Sequence, residues 1–135
     1  GGRSRDITSD AEQFITRLDQ EINRANASQH RFAVLLFDVA PQDREEARPF
    51  VDEVLQAHGI EVLACDLVCR VRVHLAAVIM PESDGPDRPI VPPRGAVYVL
   101  AWPKNREALE QLRQRKHPIL RRSIYRTEAA GRGAA

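Results

Sequence analysis

Apolar residues at Phe14, Ile15, Leu18, Ile22 and Ala25 recur every three or four positions, with Arg17, Asp19, Glu21 and Arg24 set off that stripe. This spacing predicts an amphipathic helix lying on a sheet. Ser9-Asp10-Ala11-Glu12 has the form of a capping box at its start, and the poor helix formers from Asn26 to Gln29 end it. From Arg31 to Val39 the pattern changes to a short apolar run bounded by polar residues, which suits a central strand buried on both faces with Asp38 at its end. Pro41 stops the strand, and Gln42 to Arg48 reads as a polar turn. Pro49 then opens a second helix to about His58, closed by Gly59, with Phe50, Val51, Val54 and Leu55 as its buried stripe. Ile60-Glu61-Val62-Leu63 returns the chain to the sheet.

The most β-prone run is Asp66 to Pro81, alternating from Cys69 to Leu75 and then continuously apolar to Met80. Two arrangements fit it. Either the run folds into a hairpin whose turn has changed type, because β-branched Val73 resists positive φ, or Cys69 to Met80 is one long strand. Glu82 to Arg94, with Pro86, Pro89, Pro92 and Pro93, reads as an extended loop. Gly95 to Trp102 is a further strand ended by Pro103, and Asn105 is placed to cap a helix from about Arg106 to Lys116 that buries Leu109 and Leu112. Ile119 to Tyr125 is expected as a short edge strand. The expected fold class is therefore α/β (α+β): a βαββαβ-like sheet with helices packed on it, shortened and lacking one crossover helix. Residues 1–8 are read as a flexible end or cloning remnant, 9–126 as one domain, and 127–135 as a disordered tail.

Composition changes this picture in two places. With 135 residues, 43% hydrophobic and 29% charged, the chain has the make-up of one soluble domain, and its apolar runs are too short to cross a bilayer, so a cytoplasmic protein without membrane insertion is expected. The net charge of +1 conceals a gradient: residues 1–103 hold 11 basic and 16 acidic side chains, and Lys104 to Arg126 holds 8 basic and 2 acidic. Arg113, Arg115, Lys116, Arg121, Arg122 and Arg126 thus form a candidate basic surface for nucleic acid or an acidic partner, against the plainer reading of a solvated helix face. Cys65 and Cys69, four residues apart on a strand, lie beyond disulfide reach and are read as reduced thiols; no Cys/His quartet suggests a metal site, and no cofactor is implied.

Several segments together resemble GGDEF (diguanylate cyclase) domains in order: Phe14-x-x-x-Leu18-x-x-Glu21-Ile22-x-Arg24-Ala25 as the first helix, Phe32 to Val39 as the first strand ending in Asp38, and Asp66-Leu67-Val68-Cys69-Arg70 with Ala77-Val78-Ile79-Met80-Pro81 as the strands flanking the signature turn. The resemblance implies a nucleotidyl-cyclase-like sheet. It also implies that working members hold two metal ions through carboxylates on the first strand and the turn, and bring glycine backbone close to the nucleotide. Here the turn reads Arg72-Val73-His74-Leu75-Ala76, with Arg72 and Val73 at the glycine positions and His74 and Leu75 at the acidic ones. The guanine-recognising segment after Asp38 is missing, and the product-site motif reads Leu63-Ala64-Cys65-Asp66, without its arginine. The expectation is a catalytically inactive domain serving as a protein-interaction, homodimerisation or regulatory module in bacterial signalling. Asp38, Arg70, Arg72 and His74 form a candidate pocket for cyclic-di-GMP or another nucleotide in a second reading. Nucleic-acid binding by the basic segment is a third.

Overall fold

A computed structural model describes residues 11–61 and 67–121. Helix α1 spans Ala11–Ser28, strand β1 Phe32–Asp38, helix α2 Ala47–Ala57, β2 Leu67–Arg72, β3 Leu75–Pro81, β4 Ala96–Trp102 and helix α3 Arg106–Arg113; a 3-10 turn at Pro41–Asp43 precedes α2. The four strands form one antiparallel sheet in the order β2-β3-β1-β4. Because β3 lies between β1 and β2, the unit β1-α2-β2 is a split βαβ. The connection from β3 to β4, where a second crossover helix would sit, is the proline-rich loop.

Strand β1 is buried along all seven residues. Alternation sends Phe32, Val34 and Leu36 into a core shared with α1, α3, Leu75, Ala77 and Ile79, while Leu35, Phe37 and Val39 pack with α2, Ala76 and Val78. The sheet is thus sandwiched between α1 with α3 on one face and α2 on the other. Ile90, from the proline-rich loop, is buried in the α2-side core and supplies apolar surface that a crossover helix would otherwise contribute. Ion pairs fix both ends of that loop, Arg31 with Asp84 at 2.8 Å and Arg94 with Asp43 at 2.8 Å. The hydrogen bond from Arg94 holds the Asp43 carboxyl below the usual carboxylate range.

Several boundaries differ from the sequence expectation. Helix α2 begins at Ala47, so Pro49 occupies its third position, where a missing N–H still costs no intrahelical bond. It ends as expected: Gly59 at φ 72° lets Ile60 N–H reach Leu55 O at 2.9 Å and Gly59 N–H reach Gln56 O at 3.1 Å. Asn105 does not cap α3 with its side chain; its Oδ1 instead accepts from Ala101 N–H at 2.9 Å. Helix α3 stops at Arg113, before the expected Lys116, because Arg115 turns left-handed at φ 61° and Lys116 N–H returns to Gln111 O at 2.7 Å. Residues 119–121 form a helical turn and not an edge strand, with Ile119 and Leu120 buried against the α1/α3 core. Glu21, expected off the apolar stripe, is fully buried and accepts from Arg17 at 2.6 Å. The expectations for Ser9, Val62, Leu63, Cys65, Arg122 and Arg126 fall outside the described residues.

Of the three positive-φ glycines among the described residues, Gly59 and Gly95 have opposite surroundings. A Cβ at Gly59 would meet nothing within 4 Å, whereas one at Gly95, φ 75°, would lie 2.3 Å from the main-chain oxygen of Asp38. Gly59→Ala should therefore cost about 1 kcal/mol, the left-handed penalty alone. Gly95→Ala should cost clearly more, because strand β1 must shift to admit the methyl group. Urea unfolding of the two variants against wild type checks the order.

Candidate functional site

The run from Leu67 to Pro81 is a hairpin, which decides between the two arrangements the sequence left open. Arg70 pairs with Ala76 and Arg72 with Leu75, so a bulge at Val71 precedes a tip made of Val73 and His74. Neither tip residue has positive φ. The bulge supplies the strand twist that a tight glycine turn would otherwise provide, and Val73 is spared a left-handed conformation. Val73 itself is 68% exposed.

This tip is joined to the end of β1. Asp38 pairs with Leu75 on one side and Ala96 on the other, and Val39 N–H donates to His74 O at 2.6 Å. Arg44, in the turn before α2, donates from Nε to Val39 O at 3.0 Å. Asp38 and His74 are 8% and 3% exposed, and the Asp38 charge acts on the His74 ring. The four residues singled out from sequence therefore come to one end of the sheet.

They do not converge on an open pocket. Arg70 donates from Nη2 to the main-chain oxygen of Arg44 and, at 3.4 Å, to that of Val73. Arg72 donates from Nε to Leu120 O at 3.2 Å, and His74 Nε2 lies 3.3 Å from Ile119 O. A carbonyl only accepts, so Nε2 carries the proton in that contact. The bulge breaks the alternation that would have put Arg70, Arg72 and His74 on one strand face: Arg70 turns to the Arg44 turn, and Arg72 and His74 hold the 119–121 turn. Sequence reasoning missed Arg44 and the two carbonyls. Arg44 lies in a polar turn with no periodicity to mark it, and the buried Ile119-Leu120 pair after Pro118 was the one available sign of a docking turn.

Electrostatics here disfavour a divalent cation. The carboxylate Asp38 shares its surroundings with His74, and Arg44 and Arg72 both act on that ring. A hard cation requires several oxygen ligands, and among the described residues no three His, Cys, Asp or Glu side chains are grouped to hold a metal. Burial pushes the His74 ring below its ordinary range, opposed by the Ile119 carbonyl and Asp38 and assisted by Arg44 and Arg72.

Of the basic segment, two residues are paired within the fold, Lys116 and Arg121 are exposed, and Arg122 and Arg126 lie outside the described residues. Arg113 pairs with Asp19 at 3.0 Å and with Glu110, and Arg115 pairs with Glu12. Trp102 is buried, stacks on Phe32 at 6.0 Å between centroids and carries Arg106 over its ring at 5.1 Å, so it offers no base-stacking platform. A depression of about 710 Å³ lined by His58, Glu61, Met80, Asp87 and Arg88 lies at the other end of β1 from Asp38. No family model, no curated protein and no solved structure matches this chain. Among the described residues no helix is long and apolar enough to cross a membrane.

Because the folded ring has the lower pKa, the unfolded chain binds the proton more readily. The stability that neutral His74 contributes is present above the ordinary imidazole range near 6.5 and is lost as pH falls through the depressed folded value. His74→Gln should flatten the decline in melting temperature between about pH 7 and pH 5, the window in which histidine changes charge. An NMR titration of wild type should give His74 a midpoint below that of an unfolded peptide.

Proposed function

We propose that this chain is a catalytically inactive GGDEF-like domain acting as a protein-interaction, dimerisation or regulatory module in bacterial signalling. One observation carries the reading. The positions that would hold acidic turn residues in a working member are His74 and Leu75, which are buried and, for His74, bonded to Ile119 O. Supporting it, the resemblance implies that the aspartate ending the first strand lies beside the turn between the signature strands, and Asp38 pairs with Leu75 at the hairpin tip. A split βαβ sheet with α1 laid across it is compatible with a nucleotidyl-cyclase-like scaffold. With one carboxylate among arginines, metal-assisted phosphoryl transfer lacks its ligand set.

A second reading, a sensor for cyclic-di-GMP or another nucleotide, is favoured by one feature: Arg44, Arg70 and Arg72 lie at one end of the sheet, and the buried Nε of Arg70 has no hydrogen-bond partner. For the nucleic-acid reading the pairing of Arg113 and Arg115 with acidic neighbours takes two of the six basic residues out of the candidate surface.

Incubation with GTP and magnesium should yield neither cyclic dinucleotide nor pyrophosphate; formation of either overturns the proposal. Calorimetric titration with cyclic-di-GMP at physiological salt should be silent. Binding that disappears in Arg72→Ala would move the reading to the sensor.

A further inference from the structure

The two outer strands of the sheet are guarded differently. At the β2 edge, a bulge and the arginines Arg70 and Arg72 are devices that discourage pairing with another chain. The β4 edge has none: Ala96-Val97-Tyr98-Val99-Leu100-Ala101-Trp102 carries no charge and no proline, and its register with β1 is unbroken.

Hydrogen bonding shows which groups of β4 face outward. Ala101 N–H donates to Asn105 Oδ1 at 2.9 Å and Ala101 O accepts from Asn105 N–H at 2.6 Å, so the polar groups of Ala101 point away from β1. Strand alternation then turns the N–H and C=O of Val97 and Val99 outward as well. Among the described residues no main-chain bond reaches these groups from outside the sheet. Asn105 closes the edge at Ala101, leaving two open residues placed symmetrically about Tyr98.

We propose that this edge pairs with the β4 edge of a second copy of the chain, antiparallel, about a two-fold axis at Tyr98. Val97 of each copy lies opposite Val99 of the other, giving four main-chain hydrogen bonds and using the open groups between the two Asn105 caps. Cross-strand pairs of valine on the α2 face and of tyrosine on the α1/α3 face are favourable sheet neighbours. A second copy is preferred over a foreign strand because the open pattern is itself two-fold, as an isologous interface requires. The resulting eight-stranded sheet, twice the four of one copy, also exposes only the guarded β2 edges. The inference deepens the interaction-module reading and rests on it for its role, while the surface is argued from the edge alone.

The test uses the full chain with Cys65→Ala and Cys69→Ala. At the two-fold, Tyr98 and its copy form a non-hydrogen-bonded pair with Cα atoms about 4.5 Å apart, within disulfide range. Tyr98→Cys should cross-link under mild oxidation. Leu100→Cys, about 14 Å from its copy in this register, should not. In sedimentation experiments wild type should dimerise with rising concentration, and Val99→Pro, whose N–H faces away from β1, should weaken the dimer about tenfold or more with unchanged circular dichroism. Three results would overturn the proposal: wild type monomeric up to several hundred micromolar, equal cross-linking at both cysteine positions, or an intact dimer in Val99→Pro. A monomer with exchange-protected Val97 and Val99 amides would also overturn it, showing that a segment of the same chain covers the edge. These readouts use no nucleotide, so cyclic dinucleotide synthesis by a dimer would reject the inactive-domain reading and leave the edge pairing standing.

Discussion

Burial of β1 on both faces is the constraint from which the rest of the architecture follows. A seven-residue strand with no exposed side chain needs a layer on each side and a hydrogen-bonded neighbour at each edge. β3 and β4 provide the neighbours, α1 with α3 provides one layer, and α2 with Ile90 provides the other. Both clusters meet at this strand, so the two halves of the core cannot separate without exposing it. The proline-rich loop between β3 and β4, fixed at both ends by ion pairs, completes the second layer by inserting the apolar side chain of Ile90.

At the far end of the same strand, polar residues that suggest a ligand pocket are used for construction. Arg72 and His74 satisfy the carbonyls of a one-turn helix, Arg70 satisfies the carbonyl of Arg44, and Arg44 satisfies that of Val39. Buried carbonyls need donors, and arginine supplies several on one stem. The hairpin tip carries valine and histidine without positive φ because the bulge beside it takes up the twist. Chemistry and architecture compete for the same side chains here, and architecture has taken them.

Much of the fold was legible in the sequence wherever a period was strong. The apolar stripe of α1, the two-sided burial of β1, the stripe of α2 with its Gly59 stop, and the inward Leu109 and Leu112 all follow from spacing. Glu21 could have been placed correctly, since it stands three residues after Leu18 and seven after Phe14, squarely on the buried face; its charge misled. Other features were not legible because they depend on contacts between distant segments. The hairpin and the long strand share one alternating pattern, and only the pairing of β2 with β3 distinguishes them. Asn105 looked like a helix cap by position, yet its amide oxygen found a strand N–H nearer. The end of α3 was set by a left-handed Arg115, which no propensity favours. Of the candidate site, the sequence brought out four residues that meet at one end of the sheet but not their partners, which lie in main chain as far away as Leu120.

The position of Asn105 has a dynamic meaning. By exchanging hydrogen bonds with Ala101 through both its side chain and its backbone, it makes the last turn of the strand and the first turn of the helix parts of one local unfolding unit. Unwinding of helix α3 past Asn105 would leave the outward N–H and C=O of Ala101 unpaired while β4 stays paired with β1. Asn105 also accepts from Leu109 N–H through its backbone oxygen, so one side chain and one peptide tie the strand edge to the turn that carries Leu109 into the core.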